Sequence, residues 1–224
     1  MRRRTVFMLA CAFLLAARMS CGEMVTVRVH YQNGYVLERQ KDRDTTSWGI
    51  SPGGINSVIT MVEGLDRLKK LKTIELVNVE FESLSFLLDC PMAEELWISC
   101  CTIPDFSVIG NLENLKQLNL DFYINYDQKE LIKDRPVNFG MLKKLEKIDF
   151  RAKVRRNGKH EGYGCIPYFE NVSAGCRFIM ESQNIESFSD RDVRILNQFS
   201  SVDLYFNPVL DKPEEMRKLT VRVE

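Results

Sequence analysis

Three stretches share one frame: Leu68-Lys69-Lys70-Leu71-Lys72-Thr73-Ile74-Glu75-Leu76, Cys90-Pro91-Met92-Ala93-Glu94-Glu95-Leu96-Trp97-Ile98, and Leu112-Glu113-Asn114-Leu115-Lys116-Gln117-Leu118-Asn119-Leu120. Each ends in an apolar-x-apolar pair, and the pairs begin at 74, 96 and 118, a spacing of 22 residues. In a strand such a pair sets both apolar side chains on one side. A fixed period of this length is the mark of a stacked-repeat architecture. No single unit can bury its own apolar face, so neighbouring units must share a core. Each fully buried Leu contributes about 1.5–3 kcal/mol, and the strength comes from repetition.

The frame continues past these stretches. Val79 and Phe81, then Cys101 and Ile103, follow the first two pairs, while Tyr123 and Asn125 break the pattern after the third. Leu142, Leu145, Ile148 and Phe150 make a fourth unit. Val172, Gly175, Phe178 and Met180 make a weaker fifth, and Leu196, Phe199, Val202 and Leu204 a sixth. Met216, Leu219 and Val221 read as a truncated last turn.

This frame resembles the leucine-rich repeat, L-x-x-L-x-x-L-x-L-x-x-N/C-x-I/L, and the 22-residue spacing is most similar to the internalin type of bacterial surface protein. Cys101 and Asn207 match the N/C position; Val79, Tyr123, Lys153 and Gln183 depart from it. The resemblance implies an α/β fold, a right-handed solenoid or horseshoe with parallel strands on its concave face. It is specific for fold and says little of function.

Residues 1–22 read as an export signal. Arg2, Arg3 and Arg4 precede an apolar run from Thr5 to Ala17, too short to span a bilayer. Two cleavage readings stand. Cys21 fits a lax lipoprotein box and would carry lipid; alternatively Ser20 and Gly22 frame a small-x-small site with cleavage before Glu23. Residues 23–64 should form an N-terminal cap. Met24 to Tyr31 alternates, and Asn33-Gly34 offers a type I′ turn into a second strand. Gln40 to Gly54 reads as loop, and Ile55, Val58, Ile59, Val62 and Leu65 are spaced as a helix. The array proper covers 65–210, with 211–224 as a C-terminal truncated repeat or cap. Insertions fall near 125–138 and 151–168. The second carries Arg151, Lys153, Arg155, Arg156 and Lys159, and reads either as a solvated loop or as a projecting basic hairpin.

Charge is balanced, with 31 basic and 31 acidic residues, which excludes a strongly basic nucleic-acid binder. Cys90 and Cys101 fall on core positions. Cys165 and Cys176 would staple the irregular stretch by a disulfide if the compartment is oxidising. His160 with Cys165 and Cys176 makes a poor metal set. With only His30 and His160 present, no nucleophile arrangement, phosphate loop or metalloprotease motif is legible, and no cofactor is implied.

The residue between the paired apolar positions faces outward. That row gives Glu75, Trp97, Asn119, Asp149, Ile179 and Asp203, with Tyr205 beside its end. The resulting expectation is a non-enzymatic module that binds a protein ligand on this face, with the membrane reached only through lipid on Cys21. The alternatives are a structural role in the cell envelope and an enzyme using Lys159, His160, Glu161 and Cys165 within 150–178.

Overall fold

The structure is a computed structural model that describes residues 22–52, 57–103, 105–125, 136–156 and 159–224. Its main sheet grows one strand per unit. The strands are β3 (Ser47–Ile50), β5 (Thr73–Val77), β6 (Glu95–Thr102), β7 (Gln117–Asn125), β9 (Lys147–Arg156), β12 (Arg177–Met180), β13 (Ser201–Asp203) and β14 (Arg222–Val223), adjacent in chain order and all parallel. A ninth strand, β10 (Lys159–Gly162), runs antiparallel on β9.

The repeat frame builds this ladder. Ile74, Leu96, Leu118, Ile148, Phe178 and Val202 stand in register on successive strands, and so do Leu76, Ile98, Leu120, Phe150 and Met180. All are buried. Before each strand the Leu-x-x-Leu segment closes by three-residue backbone bonds: Leu68 N to Leu65 O, Leu71 N to Leu68 O, then Leu112 N to Ile109 O and Leu115 N to Leu112 O. Short 3-10 turns at Leu65–Arg67, Ser85–Asp89 and Ser107–Asn111 complete the units. A three-per-turn segment sets every third side chain on one side, which is why Leu recurs at that spacing.

The strand ends distinguish the units. Asn78, Ser182 and Phe206, each four residues past the first apolar member of its pair, have φ between 51° and 55° and follow the ends of their strands, whereas Cys100, at the same position with φ 56°, forms a bulge within β6. The third and fourth units have no such turn. There β7 and β9 run on side by side to Asn125 and Arg155, which explains why the sequence frame breaks at Tyr123. The second insertion is a strand pair, β9 with β10, rather than a solvated loop, and it buries Tyr163 and Ile166 completely. The first insertion falls mostly outside the described residues. Beyond it, β8 (Val137–Asn138) pairs in parallel with β11 (Phe169–Glu170).

The N-terminal segment differs from expectation in three ways. The hairpin of β1 (Met24–Tyr31) and β2 (Val36–Asp42) is present. Its turn, however, is a three-residue loop closed by Gly34 N to Tyr31 O, with Gly34 at φ 83°, and not a two-residue type I′ turn. The supposed helix is β4 (Ile59–Glu63), antiparallel to β1. Inside the supposed loop lies β3, whose Trp48 and Ile50 occupy the same register as Ile74 and Leu76. At the far end Val223, not Val221, pairs with Val202. Among the described residues helix is scarce: α1 (Asp190–Leu196), capped by Ser189 in a capping box with Asp192, and α2 (Pro213–Met216). Among the described residues no helix is long and apolar enough to cross a membrane.

Candidate functional site

The outward row is in register. Gly49 pairs with Glu75, Glu75 with Trp97, Trp97 with Asn119, Asn119 with Asp149, Asp149 with Ile179, and Ile179 with Asp203. A second row runs parallel to it: Val77, Ser99, Asp121 and Arg151. Six strands thus present adjacent side chains from one pleated surface, with Gly49 of β3 at its edge, at the inter-strand spacing of about 4.8 Å.

The two halves of this face differ in charge. From Asp121 onward the acids are met by bases. Arg151 stands 3.3 Å from both Asp149 and Glu181. Lys153 lies 3.9 Å from Asp121. Arg177 pairs with Asp203 and, at 2.7 Å, with Glu224. Asp149 and Asp203 are 7% and 0% exposed, and a buried charge without a partner is costly. The arginines compensate them; Asp203, chiefly through its hydrogen bond, raises the Arg177 pKa in return. The charge of these two aspartates is thus largely balanced within the sheet.

The other half is open. Among the described residues Glu75 makes no ion pair and is exposed. Trp97 is 37% exposed, its indole N–H donating at 3.4 Å to Glu95. Val77 beside it is 39% exposed. Asn119 is half-buried at the boundary, and Tyr205, 46% exposed, lies beyond the far edge of the row.

The buried polar positions serve the frame. Cys101 donates its thiol to Leu76 O at 3.3 Å, and Asn207 its amide to Met180 O at 2.9 Å, both reaching the equivalent carbonyl of the preceding strand. The strand irregularity between Ser99 and Cys101 turns Cys101 inward and leaves Cys100 half-buried. Burial pushes the Cys90 thiol up to about 12 and that of Cys101 up to about 11, which suits packing and not nucleophilic chemistry. Gln183, which departs from the repeat pattern, is 1% exposed and accepts from Ala152 N at 3.0 Å and Tyr163 N at 3.4 Å. Its longer arm reaches where an Asn would not, and the pattern gave no sign of it.

The expected Cys165–Cys176 disulfide is not formed. Cys176 faces the core with its thiol pushed up to about 12 by burial, hydrogen-bonded to Arg177 O, while Cys165 is half-buried. Among the described residues no cluster of three His, Cys, Asp or Glu side chains is arranged to hold a metal. Cys21 and the export signal up to it lie outside the described residues.

In-register apolar pairs, three-residue turns and a polar ladder at the strand exits define a leucine-rich-repeat fold of internalin-like spacing. No protein-family profile and no curated protein matches the chain. Among solved structures it is similar to an internalin from Listeria monocytogenes at 16% identity, with a TM-score of 0.39. The match covers 83% of this chain and 57% of that one, so the chain spans a little over half of that protein's length.

Proposed function

We propose that the protein is an exported protein-binding module, tethered by lipid on Cys21, that holds its ligand on the outward strand face. In this reading the sheet lines the inner side of a horseshoe. Glu75, Trp97 and Asn119 form the contact centre, and Asp149, Asp203 and Tyr205 frame the far side. One observation carries it: Trp97 and Val77 stand exposed beside Glu75, which among the described residues makes no ion pair, while Asp149 and Asp203 farther along the ladder are already met by arginines. Exposed Trp is over-represented among interface hot spots, and side chains fixed on a sheet lose little entropy when a ligand arrives.

Binding proteins selected without bias from a displayed library test the face. Most should lose more than about 1 kcal/mol on Trp97→Ala, the usual hot-spot threshold. Binders that map elsewhere and ignore that substitution would refute the assignment. The anchor is tested separately. Cys21→Ser should move the protein from the membrane fraction to the soluble one, whereas an unmodified mature chain starting at Glu23 would rule lipid out.

A further inference from the structure

The parallel strands of the ladder all start along one edge of the molecule, and residue 23, where the described chain enters β1, lies on that same edge. Arg43 N donates to Glu23 O at 2.8 Å, and the Arg43 guanidinium pairs with the Glu23 carboxylate. The next residue, Asp44, holds Lys70 Nζ at 2.8 Å. Lys70 belongs to the first Leu-x-x-Leu segment, whose outer residues Lys69 and Lys70 are exposed while Leu68 and Leu71 are buried. The equivalent tips of the following units touch in turn. Glu94 joins Lys72 to Lys116, at 2.7 Å from each. Asn114 Nδ2 donates to Pro91 O at 2.8 Å, and Lys144 Nζ donates to Asn114 Oδ1 at 2.6 Å. One continuous edge thus runs from Glu23 past the starts of β5, β6, β7 and β9, about 19 Å from β3 to β9 at the usual inter-strand spacing.

The tips are cationic. Of their eight outer positions lysine fills four, Lys69, Lys70, Lys143 and Lys144, and glutamate one, Glu113. Lys69 donates to the backbone carbonyl of Asp66 and Lys144 to a neutral amide, so neither charge is cancelled there. Lys143 is exposed and among the described residues makes no ion pair. Glu94, set behind the tips, is already held by two lysines. Met92 and Met141, 47% and 50% exposed, stand on the same edge. Long cationic side chains beside exposed apolar ones match the headgroup boundary of an anionic bilayer, where ammonium groups reach lipid phosphates and the apolar groups leave water.

We infer that this strand-entry edge rests on an anionic membrane surface. The inference builds on the proposed lipid at Cys21. Cys21 precedes Glu23 by two residues, a reach of about 7 Å at most, so an anchor there brings the lysine tips to the bilayer. The strands then rise away from the membrane, and the outward face stays open sideways to a ligand.

The chain from Gly22 on, which contains the cap and the whole ladder, tests this when a histidine tag before Gly22 captures it on vesicles carrying a nickel-chelating lipid. Phosphatidylcholine vesicles with about one-third phosphatidylglycerol should bind it at least tenfold more tightly than phosphatidylcholine alone, and added salt should remove the gain. Lys69→Glu, Lys143→Glu and Lys144→Glu together should abolish that gain. The same charge change on exposed residues elsewhere, Lys159→Glu, Arg194→Glu and Arg217→Glu, should keep most of it. Hydrogen exchange should slow within 69–72 and 141–145 on the anionic vesicles and stay unchanged at 205–207, at the strand exits. Equal binding to both kinds of vesicle, an equal loss from the two triple variants, or protection at the strand exits would overturn the inference. The tag stands in for the acyl group, so this result is independent of whether Cys21 is modified, which fractionation of Cys21→Ser decides.

Discussion

Asn207 shows how much one side chain carries in this fold. Buried at 3% exposure, its Oδ1 accepts from Gln183 N and Ile185 N, and its Nδ2 reaches Met180 O, Leu204 O and Tyr205 O. Asn207→Ala would strand several buried backbone groups at about 1–3 kcal/mol each. We expect a loss of at least about 2 kcal/mol by denaturant unfolding, against under about 1 kcal/mol for Asn114→Ala, which is half-buried and bonded to Pro91 O and Lys144. Asn207 was legible in the sequence because it matches the repeat; Gln183, doing related work, was not. A second residue-scale feature escaped the sequence reading altogether. Lys72, Glu94, Lys116 and Glu146 occupy the position before successive strands, and alternate in sign. Lys116 and Lys72, each 2.7 Å from Glu94, hold its carboxyl at about 2, down from 4.5. A depressed carboxylate stabilises the fold above its unfolded value and loses that contribution as pH falls through its folded one. The stability difference between wild type and Glu94→Gln should therefore be full above pH 4.5 and vanish towards pH 2. Because the pair is solvent-exposed, added salt should shrink it. Thermal melts against pH check this, and a difference that grows on acidification would contradict the pairing.

The elements missed in the sequence were missed for a physical reason. Strand β3 has the apolar-x-apolar signature, Trp48-Gly49-Ile50, but lacks the preceding Leu frame and sits among turn-forming residues. In β4, a five-residue run is too short for its period to separate strand from helix. The long strands β7 and β9 were obscured because an unturned unit looks like a broken one. Their extension creates a core that the repeat frame does not predict. Phe169 on β11 stands at its centre, 4.9 Å from the Phe139 ring, 6.0 Å from Phe178, 6.2 Å from Phe150 and 6.4 Å from Phe106. It is fully buried, though it follows a stretch read as an insertion. Phe169→Ala should cost about 3–5 kcal/mol, the range for buried aromatic truncation. Leu88→Ala, at 53% exposure, should cost under about 0.5 kcal/mol. Chemical denaturation of the two variants compares them, and similar losses would mean that the aromatic cluster is not a core.

At the scale of the molecule, the outward row was legible because strand period and repeat spacing together fix it. Its charge balance was not, since Arg151 sits two residues from Asp149 in sequence but Arg177 meets Asp203 only across neighbouring strands. The same one-dimensional order shapes stability. Each unit pairs with its two neighbours, so resistance to opening is set locally and need not be uniform. In the middle, β7 and β9 pair along the whole of β7, from Gln117 to Asn125. At the ends, β14 pairs over two residues and β3 over four. Amides of Leu120 and Phe150 should therefore exchange slowest with solvent deuterium, and those of β14 fastest. Trp48 is 2% exposed and meets the Phe86 ring edge-on at 6.3 Å, anchoring the first strand of the ladder. Trp48→Ala should speed exchange in β3 and β5 while leaving β12 and β13 unchanged, because its ring partner Phe86 lies between β5 and β6, at the opposite end of the ladder from β12 and β13. Equal acceleration in every strand would show that the chain opens as one cooperative body, and that the repeat determines its shape without dividing its stability.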